Sequence, residues 1–401
     1  MGAFTLTCSS CGFEQSKAYS PFCEKCHQMT ETTFDLEKAV LHKSDNPYYR
    51  FFDLIPVNDK NLLPKDAIYS PTIHAKKLGA LLGMNKLYLK NEAALPTGTT
   101  KYRMAAVSLP YLFESGVEHF CTSSTGNSST AYAQLMTNIP DLKMSLFTGS
   151  EFRLRVNYAT NPQISHYILK GGTFVEAFDR AASFAAEHGY TSERGFFNAG
   201  RREGLKLAFF EASDQVAEPI DWYVQAVSSA MGVYGTYKGA KELLTIGHIE
   251  KLPHLLCVQQ DTCSPLVNAW RDDVEHIEER HIVRNPTGIA KAILRGDPSR
   301  VYPYMRKVVK ESDGDFTAVS EAEIREAQAL VKEHENIDIC FAASAAVAGL
   351  MKEVHNGRVN KSACVLINLT GSNRQDNTIS DDFTVLEKIN NQWHIASDQS
   401  L

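Results

Sequence analysis

The 401-residue sequence has almost no surplus of charge: 41 basic residues stand against 47 acidic ones, for a net charge of -6. That balance sets up no strong field, so neither nucleic acid nor an anionic membrane is expected as a partner. Any anionic ligand has to be held by a local pocket. Also lacking is an apolar run near the roughly 18 residues that a membrane span needs. The opening "MGAFTLTCSS" has neither the basic nor the apolar part of a secretory signal, and a cytoplasmic location is expected. Repeats and low-complexity tracts are missing as well. With 43% hydrophobic and 22% charged residues, the composition is that of a globular protein, long enough for two sizeable domains.

What is present begins with cysteine. Of nine cysteines, Cys121, Cys257, Cys263, Cys340 and Cys364 are scattered among apolar neighbours and read as small buried hydrophobes. The other four, Cys8, Cys11, Cys23 and Cys26, form two Cys-x-x-Cys knuckles with Gly12 turning the first. Their thiolates can converge on a structural zinc ion, although the 11-residue spacer between the knuckles is short for a ribbon. A ribbon that has lost its metal and a pair of redox-labile knuckles are the alternatives. A closed four-thiolate site has no open coordination position and carries no catalysis. As a nucleic-acid module the ribbon is disfavoured by the net charge.

Beyond an aromatic connector, "YYRFFDLIPV" at 48–57, short β-rich runs alternate with helix-like stretches. The runs are 87–90, 119–122, 143–147, 173–176, 222–227, 255–259 and 363–369. The helix-like stretches include 101–114, 179–188 and 321–334, the last opened by a capping box of Ser320 and Glu323. This alternation predicts α/β architecture with largely parallel sheets covered by helices. Such sheets bind ligands beyond the carboxyl ends of their strands. Four segments there stand out. "PTGTTKYRMA" (96–105) sets Lys101 in a Thr-Gly-Thr-Thr turn, "SSTGNSST" (123–130) and "SSAMGVYG" (228–235) are small and hydroxyl-rich, and "TGSNRQD" (370–376) ends the last run.

Read plainly, Thr99 or Thr100 caps a surface helix and Lys101 is solvated. Read for chemistry, a lysine aimed by a rigid strand-to-helix turn is an amine suited to a Schiff base with pyridoxal phosphate. That cofactor needs backbone amides for its phosphate, which the small residues of 228–235 offer at a helix start. Asn127 can donate to its ring hydroxyl, and Thr370 can face its ring nitrogen.

In order and spacing these segments resemble the tryptophan-synthase-type (fold type II) pyridoxal-phosphate enzymes, and most closely threonine synthase and relatives such as cysteate synthase. The resemblance runs from 69 to 376 through "LYLKNEAALPTGTTKYRMA", "SSTGNSSTAYA", "GRREGLKLAFFE", "SSAMGVYGTYKG", "TGIAKAILRGDPSR", "FAASAAVAGLMK" and "LTGSNRQD". It implies a two-domain fold: a zinc-ribbon-like segment at 1–40, a large cofactor-binding domain at 41–95 and 210–390, and a small mobile substrate-binding domain at 96–209. It implies Lys101 as Schiff-base lysine and general acid/base. Asn127, Ser229, Ala230, Met231, Gly232, Val233 and Thr370 become cofactor ligands. Ser124, Thr125 and Ser128 would hold the substrate α-carboxylate, and Arg201 with Lys206 an anionic side chain. For Arg201 a solvated helix charge is the alternative, with Arg202 competing for its role. A homodimer acting on a small-molecule amino-acid substrate is expected.

The chain departs from the family pattern at Thr100 and Tyr102, where an aromatic residue and an acid are usual, and at Ser228 to Met231, where a Gly-Asn-rich loop is usual. Phe341 and Ala342 replace an acid and a proline. The expected reaction is elimination or replacement at the β or γ carbon of a phosphorylated amino acid, threonine-synthase-like. The alternatives are cysteate-synthase-like β-replacement on O-phosphoserine and a cofactor-free binding descendant of the fold.

Overall fold

Runs such as "WYVQA" and "VLINL", rich in large apolar residues and buried along their whole length, belong to strands covered on both sides. The computed structural model describes residues 4–16, 18–66, 69–374 and 378–400. Its strands begin with β1 (Phe4–Cys8), β2 (Glu14–Gln15), β3 (Thr30–Phe34), β4 (Thr72–His74) and β5 (Leu87–Asn91). Next come β6 (His119–Ser123), β7 (Lys143–Gly149), β8 (Ile164–Leu169), β9 (Thr191–Ser192) and β10 (Trp222–Ala226). Last are β11 (His254–Gln260), β12 (Asp315–Val319), β13 (Val365–Leu369), β14 (Thr384–Ile389) and β15 (Gln392–Ile395). The chain divides into two compact units, one of Met1–Ala67, Lys101–Gly204 and Arg374–Leu401, the other of Ile68–Thr100 and Leu205–Asn373.

The first unit holds two sheets. The ribbon is a small antiparallel sheet ordered β2-β1-β3. The larger, six-stranded sheet is ordered β15-β14-β8-β7-β6-β9 and is parallel except where β15 meets β14. Helix Phe174–His188 lays Ala177, Ala181 and Ala185 on it, a four-residue spacing that keeps one small face against the strands.

The second unit's six-stranded sheet runs β12-β11-β10-β13-β5-β4, parallel except for β4 at its edge. Helix Phe341–His355 covers it with alanines, and a Cβ on Gly349 would stand 2.4 Å from Val258 Cγ2, so only glycine permits this approach. In register, Val365 lies opposite Leu87 and Leu369 opposite Asn91, so β13 and β5 end together. The segments that follow these strands leave from the same edge. Lys90, buried in the middle of this unit, is neutralised by Glu211 at 2.8 Å and donates to the Ser70 carbonyl at 2.6 Å.

Helix Lys101–Glu114 has the expected limits, and helix Glu321–Glu335 starts from the expected Ser320–Glu323 capping box. One expected strand is absent. Residues 173–176 instead form the cap and first turn of helix Phe174–His188: Thr173 accepts from the Glu176 N–H, and the Glu176 carboxylate accepts from the Thr173 N–H at 2.8 Å. The Thr-x-x-Glu spacing outweighs the β-branched content of that run. No described helix is long and apolar enough to cross a membrane.

Candidate active site

Lys101 opens helix Lys101–Glu114 in the first unit and is half-buried. Burial first, and the Arg201 charge second, bring its ammonium down from 10.5 to about 8. The reading of Lys101 as a solvated surface charge therefore fails. The sign of the consequence is fixed: the folded chain resists the proton that the unfolded chain still binds between about pH 8 and 10.5, so stability rises with pH across that window. Without cofactor, Lys101→Met should melt above the unsubstituted chain at about pH 7, and the two should converge near pH 10. Thermal melts across pH check this; a constant gap would remove the strained amine.

The turn before Lys101 belongs to the second unit and is pinned to the end of β13. The Thr100 N–H donates to the Thr370 carbonyl at 2.9 Å, the Ser372 N–H donates to the Gly98 carbonyl at 2.9 Å, and Thr99 bridges Gly371. Thr97 Oγ1 and Thr100 Oγ1 are buried and have no hydrogen-bond partner among the described residues. Thr370 is half-buried. Of its motif, residues 375–376 lie outside the described residues.

Also in the second unit, helix Met231–Thr245 starts without a side-chain cap. Its ladder begins with the Tyr234 N–H donating to the Ala230 carbonyl at 3.0 Å, so the N–H groups of Met231, Gly232 and Val233 precede it. Ala230 takes a left-handed conformation at φ +58°, which costs about 1–2 kcal/mol for a residue with a Cβ. Ser229, Ala230, Met231 and Val233 are buried. Lys206 is buried too, with its ammonium 2.6 Å from Glu242, which Lys238 also engages.

In the first unit β6 runs into the 124–126 turn and helix Asn127–Leu135. Ser124 Oγ is spent inside the turn, accepting from the N–H groups of Gly126 at 3.0 Å and Ser129 at 3.2 Å. Among the described residues, Ser128 Oγ meets Met104 Sδ at 3.8 Å. Thr125 and Asn127 are half-buried. Gly126 sits at φ +124°, and a Cβ there would fall 2.4 Å from the Arg155 carbonyl oxygen. Gly126→Ala should therefore cost about 1–3 kcal/mol. Chemical denaturation is the check, and an unchanged midpoint would mean the turn relaxes freely.

Behind this loop, Arg201 is buried and fully engaged on one side. Its Nε donates to Glu193 Oε1 and to Tyr132 Oη (3.0 Å), and its Nη2 donates to Thr122 Oγ1 at 3.3 Å. Glu193 also accepts from Asn198 Nδ2 at 2.8 Å, Tyr132 Oη at 3.1 Å, Thr122 Oγ1 at 3.2 Å and the Gly195 N–H at 3.2 Å. Burial opposes the Arg201 charge, but the Glu193 carboxylate and Tyr132 more than offset it and hold the guanidinium above its ordinary value. Arg201 is thus no solvated helix charge. These bonds engage its Nε and Nη2. Arg202 turns elsewhere, donating at 2.5 Å to the carbonyls of Phe196 and of Thr30 in the ribbon. Arg374, from the last motif, donates to Thr130 Oγ1 at 2.6 Å and to the Arg155 carbonyl at 2.5 Å, bracing the same loop.

The structure thus brings Arg201 together with the helix behind the 123–130 loop through Tyr132. Lys206 is engaged by Glu242 in the second unit. Glu193, Tyr132 and Arg374 escape a reading of the sequence, where a lone acid in "TSERG" looks like any loop charge; only "STGN" hints at Gly126. In the ribbon, the sulfurs of Cys8, Cys11, Cys23 and Cys26 lie within 4.8 Å of one another. The N–H groups of Ser10 and Cys11 each donate to Cys8 Sγ at 3.4 Å. This donor set fits a soft tetrahedral ion such as zinc.

The model of the pyridoxal-phosphate dependent enzyme family matches residues 65–371, and the chain belongs to that family. Among its relatives, cysteate synthase of Methanosarcina acetivorans is 27% identical over 412 residues, covering 96% of this chain and 95% of that protein. Threonine synthase of Methanocaldococcus jannaschii is 28% identical over 378 residues, covering 92% of each. Maize serine racemase superposes with a TM-score of 0.62 at 17% identity, over 76% of this chain and 88% of its own, and shares the fold type II architecture. The residues present fit the cofactor: helix Met231–Thr245 offers uncapped amides, as a phosphate requires, and the Thr97 and Thr100 hydroxyls shortly before Lys101 in sequence are buried without a hydrogen-bond partner among the described residues.

Proposed function

We propose that the protein eliminates or replaces a group at the β or γ carbon of an amino acid with a phosphorylated side chain, in the manner of threonine synthase. The observation that carries this reading is Lys101, an amine held near 8 at a helix start. Pyridoxal phosphate, when bound, takes up the electron pair left as the substrate Cα–H bond breaks. Lys101 is the residue whose Nζ would hold the cofactor, and the same amine would take and return the proton at the substrate Cα. The N–H groups of Ser229 to Val233 would hold the cofactor phosphate, Asn127 would donate to its ring oxygen, and the Thr370 hydroxyl would serve its ring nitrogen. A hydroxyl there leaves that nitrogen largely unprotonated, which suits elimination, where a leaving group relieves the charge.

Thr125, Ser128 and the turn amides receive the substrate α-carboxylate, and Ser124 shapes the turn that presents them. The Nη1–Nη2 edge of Arg201 takes the side-chain anion as a fork that lysine cannot copy. Lys206, engaged by Glu242, supports the helix that carries Arg201. A homodimer, with 96–209 as the part that closes over substrate, completes the reading.

Cysteate-synthase-like β-replacement on O-phosphoserine is the second reading, favoured by the near full-length match to a cysteate synthase. The two substrates differ by one methylene, worth about 1–3 kcal/mol in a pocket. Phosphate release from phosphohomoserine with threonine as product supports the first. Release from O-phosphoserine that depends on sulfite replaces it with the second. Release from neither overturns both.

A further inference from the structure

The ribbon touches the site's supporting residues at several points, all within the first unit. Tyr19 donates its hydroxyl to the Glu193 carbonyl at 2.5 Å, and its N–H to the Ser115 carbonyl at 3.3 Å. Its ring meets Tyr111, on the Lys101 helix, edge-on at 6.2 Å. Phe4 packs with the same tyrosine and with Ala199. Phe22 lies 4.9 Å from Phe197, and Arg202 spans from Thr30 in β3 to Phe196. The segment from Glu193 to Arg202 is therefore held by the ribbon at both ends, with Arg201 inside it.

Glu193 is the sensitive point. Its backbone is fixed from two sides, by its own N–H donating to the Cys121 carbonyl at 3.0 Å and by its carbonyl accepting from Tyr19. Its carboxylate sets the direction of the Arg201 guanidinium. Arg194 follows at φ +65° and Gly195 at φ +55°, a sharp turn that folds the Glu193 side chain back under the Gly195 N–H. A turn of this kind keeps its shape only while its flanks are held. Burial and the neighbouring Glu193 charge keep the Tyr19 phenol protonated, so it stays a donor.

The ribbon's own strands are 5, 2 and 5 residues long, too little sheet to be rigid without a cross-link. The cross-link available is a metal on the four thiolates.

We propose that the cysteine ribbon is a metal-dependent brace for the Glu193–Arg201 pair, with Tyr19 as the positioning residue that carries its effect to the anion-binding edge of Arg201. The proposal rests on the reading that Arg201 receives the substrate's anion. Metal binding freezes the ribbon, Tyr19 then fixes the Glu193 carbonyl, and the guanidinium edge is presented ready-made. With the ribbon empty, Arg201 has to be ordered by the ligand itself, and affinity falls.

The test uses the full chain with its cofactor, as purified with zinc and after zinc removal by a chelator, and reads inorganic phosphate affinity by calorimetry. Tyr19→Phe should weaken phosphate binding about three- to tenfold, the range one lost hydrogen bond allows. It should raise KM for the phosphorylated substrate while leaving kcat and the cofactor's visible absorption in place. Zinc removal should weaken phosphate binding to a similar extent in the unsubstituted chain and add little in Tyr19→Phe, because the same brace is already cut. Arg201→Lys keeps a cation beside Glu193 and serves as the control: undiminished phosphate binding in it would sink the anion assignment and the brace together. Weakened binding in Arg201→Lys, with Tyr19→Phe and zinc removal both neutral or fully additive, would overturn the brace alone. A chain that takes up no zinc would also overturn it.

Discussion

Lys101→Ala is expected to lose turnover by at least about 10²–10⁴-fold, the contribution of a positioned general acid/base, together with the visible band of the bound cofactor. Under the proposed reading the two losses share a cause, since one amine would both hold the cofactor and move the Cα proton. The lowered ammonium adds a pH signature. Only the neutral amine attacks, so the rate at which the cofactor-free chain takes up pyridoxal phosphate should fall about tenfold per pH unit below about 8 and level off above it. Stopped-flow absorbance across pH and single-turnover phosphate release are the measurements. An alanine variant that keeps the band would place the reactive amine elsewhere in the chain.

Glu193→Ala should cost about 3–5 kcal/mol of stability, the loss seen when one partner of a buried pair is removed and the other charge is left uncompensated. Arg201 would stay buried without its carboxylate, while Asn198, Thr122, Tyr132 and the Gly195 N–H would lose their shared acceptor. Glu193→Gln keeps an acceptor and should cost less. Pairing it with Arg201→Met should cost less than the two single changes summed, because the orphaned charge is gone. Denaturant midpoints with unchanged slopes would report these values, and a midpoint for Glu193→Ala that does not move would mean the pair carries no net stabilisation.

Much of the architecture was legible because it rests on local signals. Ser320 with Glu323, and the pattern of 101–114, specify their helices within a few residues, and fully buried strands such as β13 read as mostly apolar runs. The run at 173–176 misleads because Thr, Phe and Val suggest a strand while Thr173 and Glu176 cap a helix. Short or polar strands such as β9 and β15 carry too few residues for a period to emerge. The loops could be found, since glycine and hydroxyl residues cluster after strands. What supports them could not. Nothing in "GRREG" separates Arg201 from Arg202, because their difference is made by Glu193, outside the motif, and by Thr30, far away in sequence. For the same reason the pairing of Lys206 with Glu242 is not legible in the sequence.

The division of the chain carries a consequence for its synthesis. The first unit is interrupted twice and receives its last piece, Arg374–Leu401, only when the rest has been made. Until then β8 has no partner on the side that β14 later takes, and its backbone donors and acceptors stand open over roughly two hundred intervening residues. Pairing across such a separation is slow, and an open, apolar strand edge is where nascent chains stick to one another. Chains that stop short of Thr384 should therefore collect as aggregates rather than as a folded fragment, and the enzyme should depend on the strands β14 and β15 for solubility as much as for shape.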